Sequence, residues 1–327
     1  MSGFDGKRIL VTGATGMVGA NLVRHLLRDG AEVHGLLRSE SSLWRIRDVA
    51  GDLELHEGDL RDAETVRSIV SSARPEIIFH LATARDAATP RERIQTLRTN
   101  VEGTQNLLEA SASLDYERFI LTGSSLAAGR HDGPVDEQTP PRPSTFFGAT
   151  KAAATILAQQ FARSGGRRLA VLRLYSVYGY WESGHRLIPT AILAAMDGRA
   201  IPLTKPGFRR DLVFVDDVVE ALSIAAGPVL LDPGELLHIG TGVQSTNEDT
   251  VHAIEEACGR RIAVSGTDYP PRDSDTTNWV CNPAKAERML GWRARHSLAE
   301  GIAKTVQWMI ATRDAYQSGQ ALSAASS

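Results

Sequence analysis

Gly13, Gly16 and Gly19 stand three residues apart, directly after the apolar stretch 7–12 and directly before a helical pattern over 21–28. Glycine lets the backbone turn tightly and approach a pyrophosphate closely, and the N-terminal end of a helix favours negative charge. In that context the trio, with Thr15, Met17 and Val18 between its members, points to a dinucleotide phosphate loop rather than to a plain turn. The next strand, 31–37, ends without an acidic residue to bind a ribose 2′-hydroxyl; Arg38 and Ser39 follow instead. A guanidinium and a hydroxyl suit a 2′-phosphate. The expected cofactor is therefore NADP, with NAD as the alternative and a solvated arginine at 38 as the bland reading.

The elements that must position these groups alternate. Strands are expected over 7–12, 31–37, 53–56, 76–82, 118–122 and 168–174, and helices over 21–28, 62–71, 91–113 and 147–163. The run EIIFHLA at 76–82 is apolar throughout, as a strand buried on both faces requires. The alternation predicts an α/β fold built on a Rossmann-type doubly wound parallel sheet with right-handed crossovers. After Tyr175 the rhythm breaks, and Gly, Pro, Arg and aromatic residues become frequent. A smaller, interwoven α/β substrate domain is expected there. The dinucleotide domain would comprise 1–177 plus about 209–244, and the substrate domain about 178–208 plus 245–327. Segments 211–224 and 235–240 read as a return to the main sheet, and the small, polar tail 318–327 as frayed.

The 327 residues are 42% hydrophobic and 23% charged, which excludes an extensively disordered chain. A net charge of −3 gives no general field for nucleic acid or an anionic membrane. No apolar run approaches the ~18 residues of a membrane span, and residues 1–8 lack the apolar core of a signal peptide. Cys258 and Cys281 form no disulfide framework, so a cytoplasmic location is expected. The nine histidines show no HExxH or other ligand spacing, and no metal is expected.

The loop TGATGMVG resembles that of the extended short-chain dehydrogenase/reductase superfamily, which holds the nucleotide-sugar epimerases, dehydratases and reductases. Further motifs follow in order along the chain: Asp59-Leu60; the stretch His80-Leu81-Ala82-Thr83; Asn100 in N-x-x-G-T; Arg210-Asp211 with Val215-Asp216-Asp217; and Arg272, Asp275 and Leu290-Gly291-Trp292. The resemblance implies cofactor contacts at Asp59, Leu60, Leu81, Ala82, Thr83, Asn100, Thr122, Tyr175 and Val177. His80 is expected to be structural.

The same resemblance implies a Tyr and a Lys four residues apart on one helix face, the Tyr passing a proton to the substrate oxygen. Lys151 is present, and Phe147 takes the place of the Tyr. Phenylalanine has no hydroxyl and cannot transfer a proton. Three readings follow: a Tyr→Phe inactivated form, a natural Phe with another donor (Tyr175 or Tyr178), or a non-catalytic dinucleotide-binding regulator. Counting back from Gly129 places Ser124 in the family's Ser/Thr position, with Ser125 as its neighbouring alternative. Leu126 stands where the 4,6-dehydratases carry a Glu, which disfavours dehydration.

Arg186, Arg210 and Arg272 are candidates for a nucleoside diphosphate, with Ser176 and Tyr178 beside the sugar. The expected activity is NADPH-dependent reduction of a 4-keto-sugar carried on a nucleoside diphosphate, as in building a deoxysugar. The alternative is an epimerase holding NAD. A homodimer pairing the 147–163 helix and the one before it is also implied.

Overall fold

A computed structural model describes residues 3–85, 88–204, 206–265 and 275–325, with side chains through residue 319. The first half alternates as expected: β1 Arg8–Thr12, α1 Met17–Arg28, β2 Glu32–Leu37, β3 Glu54–Glu57, α2 Ala63–Ala73, β4 Ile77–His80, α3 Pro90–Leu97, α4 Gly103–Ser111, β5 Arg118–Ser124, α5 Ser125–Ala128, α6 Phe146–Gly165 and β6 Leu169–Leu174. The second half holds β7 Ser176–Tyr178, α7 Leu187–Asp197, β8 Ile201–Pro202, β9 Arg209–Phe214, α8 Val215–Ala226, β10 Glu235–Ile239, β11 Gln244–Thr246, α9 Asn247–Cys258, β12 Val264–Ser265, α10 Ala284–Leu290 and α11 Leu298–Ala325.

Seven strands form one parallel sheet in the order β10-β6-β5-β4-β1-β2-β3. This is the expected doubly wound sheet. The central strands are apolar because helices cover both faces: α1 and α8 close one with Leu22, Leu26 and Leu222, and α2, α4 and α6 close the other with Val66, Leu107 and Ala158. The chain order reverses between β1 and β4. That leaves a crevice at the carboxyl ends of the strands, where doubly wound sheets bind ligands.

Three expectations are corrected in detail. Segment 211–224 does not rejoin the main sheet: β9 pairs with β7 and β11 in a separate three-stranded sheet, and only the following α8 packs on the main one. The expected helix 91–113 is interrupted by a π turn over Arg98–Glu102, between α3 and α4. A third core, with Tyr178, Ile192, Phe214 and Ile254, joins α7, α9 and α11 to the small sheet. Helix α11 runs on through Ala325, into the segment read as frayed.

Candidate active site

The glycine loop follows β1, and its three glycines differ in kind. A Cβ on Gly13 would stand 2.6 Å from the Ala82 nitrogen, and one on Gly19 would stand 2.1 Å from the Gly13 carbonyl. Those two are glycines because backbone passes against backbone. Gly16 is exposed, and its Cβ would meet only the Gly13 oxygen, at 3.2 Å. It is the N-cap of α1, makes no side-chain cap, and no acidic residue occupies the first turn. The first-turn N–H groups are thus open to an anion, which is the fit a pyrophosphate needs. The Thr15 carbonyl accepts from Arg45, the Met17 carbonyl accepts from Asn21, and Val18 packs on the core.

At the end of β2, Arg38 is half exposed and pairs with Glu40 at 3.1 Å; the Ser39 hydroxyl also reaches Glu40. Asp59 sits after β3 and is gripped by Arg61, whose hydrogen bonds hold its carboxyl below the usual range. Leu60 is buried beneath α4, and its carbonyl accepts from Asn106.

His80 is fully buried. Its Nε2 faces Thr104 Oγ1, which already donates to the Asn100 carbonyl; its Nδ1 faces Thr12 Oγ1, which accepts from Ala82 N. These partners are satisfied by a neutral ring carrying its hydrogen on Nε2. Burial lowers its pKa to about 3. His80 therefore ties β1 and β4 to α4, the structural role expected. Leu81 and Ala82 line the Gly13 turn.

Asn100 lies on the π turn, 2% exposed. It accepts from Thr83 Oγ1 and Ala84 N and donates to the Ala84 carbonyl and Thr150 Oγ1. Four bonds to protein make it the strut between the loop after β4 and α6. Thr122 similarly donates to the His80 carbonyl.

Helix α6 is fixed at its start: Thr145 caps Gly148 N, and a Cβ on Gly148 would lie 2.3 Å from the Leu126 carbonyl. Helix α5 with Ser124 and Ser125 is thereby pressed against the turn carrying Phe147 and Lys151. Ser124 Oγ accepts from Leu126 N, leaving its own hydrogen to donate. Ser125 is buried and accepts from Trp279 Nε1 at 3.2 Å. Lys151 is 4% exposed; burial first, and the Arg85 charge second, lower its ammonium to about 8. The Arg85 guanidinium lies 4.9 Å over the Phe147 ring.

The two expected substitute donors differ in what their hydroxyls meet. Tyr175 is buried against His238, its hydroxyl has no partner among the described residues, and burial pushes its pKa up. The Tyr178 hydroxyl points to the Leu298 carbonyl in α11, and burial again raises it.

Ser176, Val177 and the Tyr178 ring border a cavity of about 190 Å³ that also takes in Glu182, Arg186 and Arg210. Arg186 pairs with Glu182. Arg210 bonds Asp275 at 2.9 Å and lies over the Trp279 ring. Arg272 falls outside the described residues. Asp211 is wholly buried and accepts from Thr241, Gly242 and Cys281 nitrogens, which makes it a clamp between β9 and two loops. Arg85, Glu182 and Trp279 were not anticipated. Trp279 lies 154 residues from Ser125, and no local pattern marks such a contact.

The comparisons agree with this geometry. The chain is 31% identical over 316 residues to the UDP-glucose 4-epimerase of Mycolicibacterium smegmatis, covering 92% of this chain and 98% of that one. It is 30% identical over 310 residues to the dTDP-glucose 4,6-dehydratase of Streptomyces antibioticus, covering 92% and 91%. MoeE5, solved with UDP-glucuronic acid and NAD, superposes with a TM-score of 0.80 at 30% identity, covering 93% of this chain and 99% of MoeE5. Residues 9–240 match the model of the NAD dependent epimerase/dehydratase family. With the motifs in order and the fold they require, the chain belongs to that family.

Proposed function

We propose that this chain binds a nicotinamide dinucleotide over the Gly13–Gly19 loop and reduces a 4-keto-sugar carried on a nucleoside diphosphate, with NADPH as reductant. The observation that carries the substrate class is the cavity holding both Arg186 and Arg210. One of its walls, β7, continues directly from sheet strand β6, so a diphosphate between the two guanidinium groups would lie next to the carboxyl edge of the sheet. MoeE5 holds a UDP-sugar and NAD together, which supports the pairing. On this reading the dinucleotide and substrate parts divide near residues 177, 209 and 244. Exposed Ile94, Leu97 and Ile156 on α3 and α6 support a homodimer through those helices. No described helix is long and apolar enough to cross a membrane.

The dinucleotide supplies the hydride. The chain must supply the proton, and Phe147 has none to give. Lys151, with its ammonium near 8, Ser124, with a hydrogen free to donate, and Ser125, whose hydroxyl accepts from Trp279, are proton-bearing groups at the α5–α6 junction. Leu126 packs with Tyr175 and Trp279, so the position of the dehydratase Glu is apolar, which favours reduction over dehydration. NADP is favoured by Arg38 and Ser39. The second reading, an epimerase holding NAD, is favoured by Glu40, which already neutralises Arg38.

The test compares the chain with Phe147→Tyr on a panel of nucleotide sugars and 4-keto-sugars, with NADPH or NAD, following nicotinamide absorbance and product identity. A positioned acid is worth ~10²–10⁴ in rate, and the Tyr form is expected to gain on that scale. Equal rates would assign the proton to another group, and Ser124, Tyr175, Tyr178 and Lys151 would be the residues to replace next. Dinucleotide binding without turnover or nucleotide-sugar affinity in either form would overturn the enzyme reading in favour of a regulator.

A further inference from the structure

Strands β2 and β3 bring together four side chains that no motif connects. His34 pairs across the strands with Glu54, and Leu36 with His56, so His34, Glu54 and His56 share one sheet face. The His34 and His56 rings stack, 5.3 Å apart at 14°. His34 Nδ1 lies 3.0 Å from His56 Nε2 and 3.5 Å from Glu54 Oε2, and His56 Nε2 lies 3.6 Å from Glu54 Oε1. A tetrahedral cation with metal–nitrogen bonds of ~2.0–2.1 Å spaces its ligands by about 3.3 Å. The two edges to Glu54, one to each carboxylate oxygen, are slightly longer than that spacing and the His34–His56 edge is slightly shorter, so one ligand atom of each residue lies within 4.8 Å of the others.

His34 supplies a second, independent observation. Its side chain is 4% exposed and its Nε2 has no hydrogen-bond partner among the described residues, although the Glu32 carboxylate stands 3.4 Å away. If Nδ1 offers its lone pair to a cation, the ring hydrogen must sit on Nε2, the nitrogen 3.4 Å from Glu32, where a small rotation of the exposed carboxylate would let it accept. A carboxylate behind a ligating histidine is the usual device for fixing its tautomer.

We propose that His34, Glu54 and His56 form a binding site for a divalent cation of the Zn²⁺ class, oriented by Glu32 and separate from the dinucleotide loop. The cation clips edge strand β3 to β2 and keeps one coordination position open. The absence of ligand spacing in the sequence misses it, because its ligands lie on two strands.

The test titrates the untagged full chain, freed of metal by chelator, with Co²⁺ while recording the visible absorption of tetrahedral Co²⁺, and then displaces it with Zn²⁺. One Co²⁺ per chain is expected. Glu54→Gln, at a side chain 57% exposed and so harmless to folding, should weaken binding at least ~10-fold, and Glu32→Gln by ~10–100-fold. His56→Gln should abolish the spectrum. His252→Gln, beside Glu255 and Glu256 on α9, should leave it unchanged. At one fixed concentration Zn²⁺ should raise the melting temperature of the parent more than that of Glu54→Gln. The site is disproved if no tetrahedral spectrum forms, if Glu54→Gln leaves the Co²⁺ affinity unchanged, if the spectrum survives His56→Gln, or if His252→Gln removes it.

Discussion

The Arg85 guanidinium rests over the ring of Phe147, 4.9 Å from its centre, and its charge presses on the ammonium of Lys151 one helical turn away. The residue that lacks a hydroxyl is thus the platform for a cation that tunes the lysine beside it.

Arg85→Leu removes that cation. Lys151 should then titrate above its present value of about 8, yet still below 10.5, because burial is the larger cause of its depression. A pH titration followed by NMR of ¹⁵N-labelled lysine reads the shift. An unmoved Lys151 would mean the two charges do not sense each other.

Gly16 and Gly19 should respond to alanine in different measures, Gly19 mainly in stability and Gly16 mainly in dinucleotide affinity. At Gly19 the new Cβ meets the Gly13 carbonyl, and overpacking of that kind costs about 3 kcal/mol. At Gly16, with φ of −75° and a single near contact, the loss is under about 1 kcal/mol. Dinucleotide affinity should nevertheless fall, because the methyl group projects where the pyrophosphate must approach. Urea melts paired with nucleotide titrations separate the two effects.

Stability should drop in acid through His80 and His238. Each takes up a proton near pH 6.5 when unfolded and near 3 when native. Between those values the unfolded state binds more protons. The stabilisation is therefore complete above pH 6.5 and is lost progressively as the pH falls toward 3. The slope is about 1.4 kcal/mol per pH unit for each histidine. Replacing His238 by Gln should flatten the measured slope by one proton, seen in urea melts between pH 4.5 and 6.5.

Glu182 should act in the reverse sense. Burial raises its carboxyl to about 7 against 4.5, with Arg186 only partly compensating. The native state keeps the proton through that window, so stability falls as the pH rises from 4.5 to 7. Glu182→Gln mimics the protonated form. It should melt higher than the parent at pH 8, by on the order of 2 kcal/mol, and no higher at pH 5.

Much of this was legible in the residues because it obeys local rules. Gly13 and Gly19 sit between an apolar strand and an amphipathic helix, and that order alone specifies a turn with backbone against backbone. The buried strand at Ile77–His80 announced itself as an unbroken apolar run. What was not legible depends on distant partners. β9 reads as a main-sheet strand until β7 and β11 are seen to claim it. The π turn at Asn100 answers to bonds from Thr83, Ala84 and Thr150, which the helical pattern around it cannot encode. Arg85 on Phe147 and Trp279 on Ser125 are contacts between loops and helices, where the spacing carries no signal.

The order of the main sheet has a consequence for synthesis. β6 ends at Leu174, but its outer neighbour β10 begins only at Glu235. At 5–20 residues per second the ribosome takes roughly 3–12 s to make the stretch between. Throughout that interval a nascent sheet of six strands shows an unpaired row of N–H and C=O groups along β6, ready to recruit a strand from another chain. Translation of residues 175–234 is therefore the period in which this protein most needs a holdase, and synonymous codons that slow it there should lower soluble yield without changing a single side chain.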